Sequence, residues 1–401
     1  MRQKKILLLG GSHQQIPSVT LAKKMGYYVI TCDYLPNNPG HKFAHEYYNV
    51  STTDKVCVLD LAKKLQIDGI LCYASDPSAP TAAYVAEKIG LAGNPYSSIE
   101  ILTNKDLFRK FLSENGFHTP KAHGYSALAD AICDINSFKM PVMVKPVDSS
   151  GSKGITKISS KQDLKKAVEY ALKFSRNKRF VVEEFIVRKG YQVSGDGFIV
   201  KGRLVFRCFG NDHFDSASPY PFSPVGSSYP LNMPTRIHDK IHSEIQRLFT
   251  LLKMKTGACN FDIQIDNDDN IYIIEIGPRN GGNSIPQVIK YATGVDMLKY
   301  SIKASMGDDC SDLQMVPTKG FWSANLIYAN YEGTLKTVQI EKSLKKNNIV
   351  DLAMFMKRGA TINPHLGYNN TLGIIILKYS SMTEMLEKIN NIQKYVKIIP
   401  E

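Results

Sequence analysis

The sequence predicts a chain that mixes α/β and α+β units, and three observations carry that expectation. Over roughly residues 1–95, short apolar runs alternate with amphipathic stretches, the signature of a doubly wound α/β unit. At 141–155, PVMVKPVDSSGSKGI places a strand ahead of a serine- and glycine-rich loop. At 260–283, NFDIQIDNDDNIYIIEIGPRNGGN reads as a β-hairpin with two carboxylates on one face. A β-rich tail begins near 318.

Bulk properties narrow the classes. The 401 residues are 43% hydrophobic and 22% charged, an ordinary globular profile with ample core. The net charge is 50 − 37 = +13. Basic residues form no long block and do not interleave with aromatics, which argues against nucleic acid. A basic cleft for a phosphorylated or carboxylate ligand fits better, with at least one anionic substrate. Seven scattered cysteines, never spaced CxxC, imply reduced thiols and a cytoplasmic setting. MRQKKILLL is too short for a signal h-region, and no stretch approaches a membrane span.

In order along the chain, KILLLG is an apolar run ended by glycine, as a buried parallel strand requires. Then come an amphipathic stretch from Ile16 to Met25 and the strand YYVITCD, ending at Asp33. A helix marked by Val56, Leu59, Ala62 and Leu65 precedes the strand DGILCYAS. The helix TAAYVAEKIG ends at Gly90. The first turn is GGSHQQ, not GxGxxG, so it lacks the glycines that admit a dinucleotide pyrophosphate. Residues 10–14 and 74–79 are instead expected to reach a substrate.

TNKDLFRKFLSENG is predicted as a helix with Thr103 as N-cap and Asp106 at N3. Leu107, Phe108, Phe111 and Leu112 form its buried stripe, and Gly116 stops it. Lys105 falls in the first turn, where the helix dipole disfavours a cation, so it is expected to point at an anion. Pro146 ends the next strand just after Lys145. DSSGSKG then supplies backbone N–H groups suited to a polyphosphate, although a plain surface loop reads similarly. FVVEEFIV is a strand, and GYQVSGDGFIV and RLVF form a hairpin about Lys201-Gly202. Residues 211–235 show no periodicity and are expected to form a substrate loop or lid. Helices are predicted at about 236–255, over TGVDMLKYSIKASMG, and near 381–396. FWSANLIY and LGIIILKY read as strands. His13, His213 and His238 are open to substrate contact or to structural roles.

In the hairpin, a four-residue turn at 267–270 pairs Asp266 with Ile271. Counting outward puts Ile265 opposite Tyr272, Ile263 opposite Ile274 and Phe261 opposite Ile276. On the other face Gln264 meets Ile273 and Asp262 meets Glu275. Opposed Cβ atoms lie about 5 Å apart, so two carboxylates there repel unless a cation or proton intervenes. Mg²⁺ held by two carboxylates and nucleotide phosphates is the common solution, and a solvated acidic face is the plain alternative.

These pieces in this order resemble the ATP-grasp superfamily over essentially the whole chain. They look most like carbamoyl-phosphate-synthase-like proteins and L-amino-acid ligases, the carboxylate–amine ligase branch. The resemblance implies a pre-ATP-grasp domain (1–103), a two-lobed ATP-grasp domain (104–315, small lobe about 117–187) and a C-terminal covering subdomain (316–401). It implies that Lys105 and Lys145 contact ATP, and that Ser149, Ser150, Gly151, Ser152 and Gly154 form the phosphate loop. The adenine hinge would be Glu183, Glu184, Phe185 and Ile186. Gln192 would take the ribose position, where the family usually has an acid. Asp262 and Glu275 match the magnesium carboxylates, with Mn²⁺ able to replace the metal. Arg279 matches the arginine that steadies the reacting acyl phosphate. The family's E-x-N-x-R is here Glu275-Ile276-Gly277-Pro278-Arg279, so the amide is missing and Asn280 or Asn283 is the expected substitute. The implied activity is amide formation from a carboxylate and an amine through an acyl phosphate, with ADP released. Bicarbonate-dependent carboxylation, or nucleotide binding without catalysis, are the alternatives. Partners are small molecules rather than nucleic acid or membrane, and a homodimer is compatible with the family.

Overall fold

Residues 2–366 and 370–401 are described by the structure, a computed structural model. The N-terminal sheet comprises β1 (Lys5–Leu9), β2 (Tyr28–Cys32), β3 (Glu46–Tyr48) and β4 (Gly69–Cys72), all parallel and ordered β3-β2-β1-β4. Apolar runs make its strands because helices cover both faces; β1 is almost wholly buried. The chain leaves β1 toward β2 and returns to β4 on the other side. The carboxyl ends of β1 and β4 therefore flank a topological switch point, the usual place for a ligand in such sheets. Residues 10–15 and 74–78 follow those two strands, and all of them but Gly11 line the central cleft.

Two helices then cross to the next domain, Tyr96–Thr103 and Lys105–Glu114. The expected N-cap is displaced by one residue. Thr103 ends the first helix, donating its hydroxyl to Ile99 O (2.8 Å), and Asn104 begins the second. Leu107, expected inside, is 40% exposed, whereas Arg109 is 2% exposed between Phe108 and Leu112. The helix thus buries a charge on its apolar stripe, which requires partners elsewhere.

The small lobe is an antiparallel sheet of β5 (Ala122–Tyr125), β6 (Val142–Pro146), β7 (Thr156–Ile158) and β8 (Phe180–Glu184), ordered β5-β8-β6-β7. Its core joins Val142, Val144, Phe180 and Val182 to helix Leu164–Phe174. The large lobe contains β9 (Gln192–Val200), β10 (Arg203–Phe214), β11 (Pro224–Tyr229), β12 (Gly257–Ile265) and β13 (Ile271–Gly277). Lys201 and Gly202 form the expected β9–β10 turn, both at positive φ, as a two-residue turn of the primed type needs. Much of the expected 211–235 loop is sheet: β10 runs to Phe214 and β11 starts at Pro224, leaving 215–223 as the loop between them. Alternation had been masked because both faces of this region are covered.

The tail contributes β14 (Phe321–Ile327), β15 (Gly333–Ile340), β16 (Ile349–Met354), β17 (Thr361–Ile362), β18 (Gly373–Tyr379) and β19 (Val396–Pro400). Three of these extend the large lobe into one eight-stranded sheet, β13-β12-β9-β10-β11-β14-β18-β16. The expected border at 315/316 therefore crosses a continuous sheet. The other three form a small sheet, β17-β15-β19. The terminal helix is shorter than expected: Met382–Asn390 and Ile392–Tyr395 are helical, and the chain then turns into β19. No described helix is long and apolar enough to cross a membrane. The seven cysteines are all free, five of them buried.

Candidate active site

The hairpin β12–β13 sets the site. Asp262 pairs with Glu275 as expected, and Phe261 with Ile276, but the ladder then shifts by one residue. Ile263 faces Ile273, Gln264 faces Tyr272 and Ile265 faces Ile271, so the connection spans five residues and Ile274 is a bulge. A bulge re-aims the side chains beside it. Here Ile273 enters the core, while Ile274 and Glu275 both line the cleft. The expected pairs Ile263–Ile274, Ile265–Tyr272, Gln264–Ile273 and Asp266–Ile271 are corrected accordingly.

Asp262 is partly buried in the wall of the cleft. Burial first, then the neighbouring Asp212 and Glu275, raises its carboxyl well above the ordinary range. Glu275 has one cation beside it: Lys105 Nζ lies 3.1 Å from Glu275 Oε2 and donates to Ser149 O at 2.8 Å. The awkwardly placed lysine thus meets an anion and the serine-rich loop together.

Lys145 is buried and paired with Glu183, which Arg109 Nε also contacts at 2.8 Å. Burial would raise Glu183, but Arg109 and Lys145 outweigh it and bring the carboxyl down to about 2. Burial draws Lys145 below the usual lysine value, with Glu183 opposing. Arg109 Nη1 also donates to Ile274 O at 2.9 Å, tying the helix, β8 and the bulge together. The sequence reading missed Arg109; its signal was a charge at a stripe position, between Phe108 and Leu112.

The side chain of Glu183 is therefore committed to cations. Glu184 N donates to Lys121 O (2.9 Å) and Phe185 N to Pro141 O (3.0 Å), while Glu184 Oε1 accepts from Lys139 N. The Phe185 ring lies under Lys157 Nζ, 3.7 Å from its centroid. Glu184, Phe185 and Ile186 all line the cleft. So do Ser149, Ser150, Gly151 and Ser152. Ser152 Oγ donates to Phe222 O at 2.7 Å, which joins the loop to 215–223. Gly154 is buried at positive φ, and a Cβ there would sit 3.0 Å from the Phe174 ring.

Gln192 is part of a relay. It accepts from Gln264 Nε2 (3.1 Å) and donates to Asp212 Oδ2 (3.0 Å), directly across β9–β10. Asp212 is a second residue the sequence reading missed. Burial lifts its carboxyl to about 6. Its signal lay in a segment read as loop rather than strand.

Arg279 is partly buried and paired with Asp76, from the loop after β4, and its Nη1 donates to Asn280 O at 2.9 Å. Burial pulls the guanidinium down, and Asp76 more than reverses this. Gly277 leaves room for this pair: a Cβ there would lie 2.9 Å from Arg279 Cζ and 3.0 Å from Asp76 Oδ1, so the two side chains would have to shift. Asn280, one expected amide substitute, is turned away. It is 1% exposed, accepts from Ser301 Oγ (2.6 Å) and points Nδ2 at Asp196. Asn283 lines the cleft beside Gln14, whose Oε1 accepts from Asn283 N at 3.2 Å. Of the three histidines, only His13 reaches the cleft. His213 is held by Asn390 and Ser228, and His238 by Met233 O.

The result is one cleft of about 1560 Å³ between the lobes and the N-terminal domain. That exceeds the roughly 300–1,000 Å³ of an ordinary small-molecule site. Lysines and a serine-rich loop face two opposed carboxylates, with an arginine beyond.

Residues 118–297 match the family described as D-ala D-ala ligase C-terminus. The L-amino acid ligase of Bacillus licheniformis superposes with a TM-score of 0.82 at 20% identity, covering 100% of both chains. Phosphoribosylglycinamide synthetase of Anaerococcus prevotii gives 0.76 at 21%, again over 100% of both. The fold is the ATP-grasp fold. A biotin carboxylase domain of a Hydrogenobacter thermophilus 2-oxoglutarate carboxylase, solved with MgADP and bicarbonate, gives 0.76 at 16%, covering 100% of this chain and 91% of that one. In sequence, an uncharacterized protein of Sinorhizobium fredii is 23% identical over 323 residues, 79% of this chain and 65% of its own length. The carbamoyl phosphate synthase large chain of a Thermoanaerobacter species is 25% identical over 263 residues, 64% of this chain and 23% of its own.

Proposed function

We propose that this chain is an ATP-dependent carboxylate–amine ligase that forms an amide through an acyl phosphate and releases ADP and phosphate. The observation that carries the reading is the convergence of Lys105, Lys145, the loop residues 149–153 and the Asp262–Glu275 pair on one cleft. Two opposed, partly buried carboxylates form a hard oxygen donor set that favours a divalent cation, so the residues fit Mg²⁺. When bound, the ion supplies neutralisation of phosphate charge.

The chain's own groups do the rest. Lys145, fixed by Glu183, and Lys105 place cationic charge against the transferring phosphoryl group. The serine-rich loop offers N–H donors and, joined to Phe222, covers the phosphates and excludes water. Arg279, immobilised by Asp76 and Asn280 O, faces the carboxylate that is activated. Attack by an amine then expels phosphate. Fixed geometry and desolvation supply the catalysis, without a covalent protein intermediate.

ADP release across a matrix of acids and amines tests this. Turnover should require one of each. Release that needs bicarbonate and no amine would transfer the chain to the carboxylases, and ATP binding with no release would mark it as non-catalytic. Asp262→Asn with Glu275→Gln should abolish Mg²⁺-dependent turnover while leaving the unfolding transition cooperative. Surviving activity would remove the hairpin from the chemistry.

A further inference from the structure

Arg279 reaches the cleft on a turn that does not hold itself. Residues 279–284, RNGGNS, join β13 to the helix Ile285–Thr293. Asn283 and Ser284 both sit in the left-handed region, at φ 53° and 62°, and Ser284 makes no side-chain cap for the helix. Two successive non-glycine residues in that region persist only where their surroundings fix them.

Two side chains do the fixing. From the N-terminal domain, Gln14 Oε1 accepts from Asn283 N at 3.2 Å, and a Cβ at Gly282 would lie 2.5 Å from that oxygen. From β9, Asp196 is fully buried beneath the turn. Its Oδ1 and Oδ2 share Gly281 N, at 2.9 and 3.0 Å. Oδ1 also accepts from Asn260 Nδ2 at 3.0 Å, and Oδ2 from Asn280 Nδ2 at 3.4 Å. Gly281 lets the backbone come this close, since a Cβ there would lie 2.8 Å from Asp196 Oδ1. Every one of these partners is an N–H donor. A carboxylate can accept from all of them, whereas an amide would set its own NH2 against them. Asp196 is not among the described residues lining the cleft, but Arg279, Asn283 and Asn260 are.

We infer that Asp196 is a positioning residue for the acid substrate: its carboxylate fixes the turn 279–284 and, through it, the direction of Arg279. This rests on the ligase reading, in which Arg279 faces the carboxylate that is activated. Lys105, Lys145 and the loop residues 149–153 belong to other elements, so a loosened turn leaves the nucleotide contacts in place. Small misplacement of a group that aligns a reacting centre is costly in rate.

The test compares Asp196→Asn and Gly281→Ala with the parent chain, using an acid and amine pair that supports ADP release. Both variants should lower kcat/KM for the acid by about ten-fold, the scale of one charge-assisted hydrogen bond, with the Kd of ATP and Mg²⁺ by calorimetry unchanged. The double variant should lose no more than the more affected single one, because both substitutions release the same contact. A purely structural role would weaken ATP binding and acid use together. That parallel loss, additive losses in the double variant, or a parent-like kcat/KM in either folded variant overturns the inference and leaves the ligase reading standing. If Asp196→Asn does not fold, Gly281→Ala decides alone. A parent chain that binds ATP but releases no ADP with any pair removes the ligase reading and the inference together.

Discussion

At the scale of single residues, the chemistry rests on how buried charges are paired. Removing Arg109 leaves Glu183 with one cation instead of two, and breaking a buried pair costs about 3–5 kcal/mol. Arg109→Leu should therefore lower unfolding free energy by about 3 kcal/mol in urea titrations, with Lys145 function lost as well. Gly277→Ala sets a methyl against Arg279 Cζ and Asp76 Oδ1. It should raise KM for the carboxylate by about ten-fold, the scale of a lost charge-assisted hydrogen bond, with ATP affinity unchanged by calorimetry. The facing of Asp262 and Glu275 came out of the count because two departures cancel: the connection is five residues rather than four, and Ile274 is bulged. Arg109 was legible only as an anomaly on an apolar stripe. The Asp76–Arg279 pair, 203 residues apart, leaves no local trace at all. The Asn280 expectation failed for a related reason, since sequence proximity to Glu275 does not say which way a side chain turns after Pro278.

Elements carry the next layer. Two buried histidines resist acid poorly: His213 on β10, and His365 from the tail, whose Nε2 lies 3.3 Å from Ser223 Oγ just before β11. Burial lowers His213 to about 4 and His365 to about 4, both below the ordinary 6.5. Between those values the unfolded chain binds more protons than the folded one, so stability falls as pH drops from about 6.5 to 4. Asp196 and Asp212, raised to about 6 by burial, act in the opposite sense, since each is protonated more readily in the fold. The cleanest readout is thus a difference. His213→Gln should show a shallower loss of urea midpoint between pH 6.5 and 4 than the parent chain. An identical slope would place the acid sensitivity elsewhere. Periodicity revealed most strands and helices, because one face of each is buried. It failed at 211–235, where both faces are covered, and at Ile274, because a bulge inserts one residue without any compositional mark.

For the whole molecule, three units close on one cleft, and the contact of Ser152 with Phe222 spans it. A ligand that binds only this arrangement stabilises it by about 2.7 kcal/mol at 100 times its Kd. ATP with Mg²⁺ should accordingly raise the unfolding midpoint and slow tryptic cleavage after Lys153. The order of the strands and helices around the cleft was readable from alternation followed by the lysine, loop and hairpin signals. The sharing of one sheet between the large lobe and the tail was not, because strand order across 100 residues is set by packing rather than by local pattern. The acyl-phosphate route itself is tested most directly by oxygen transfer. With both carboxylate oxygens of the accepted acid labelled as ¹⁸O, the released phosphate should carry one labelled atom for each ADP formed. Unlabelled phosphate at the same turnover would contradict activation of the carboxylate by phosphoryl transfer.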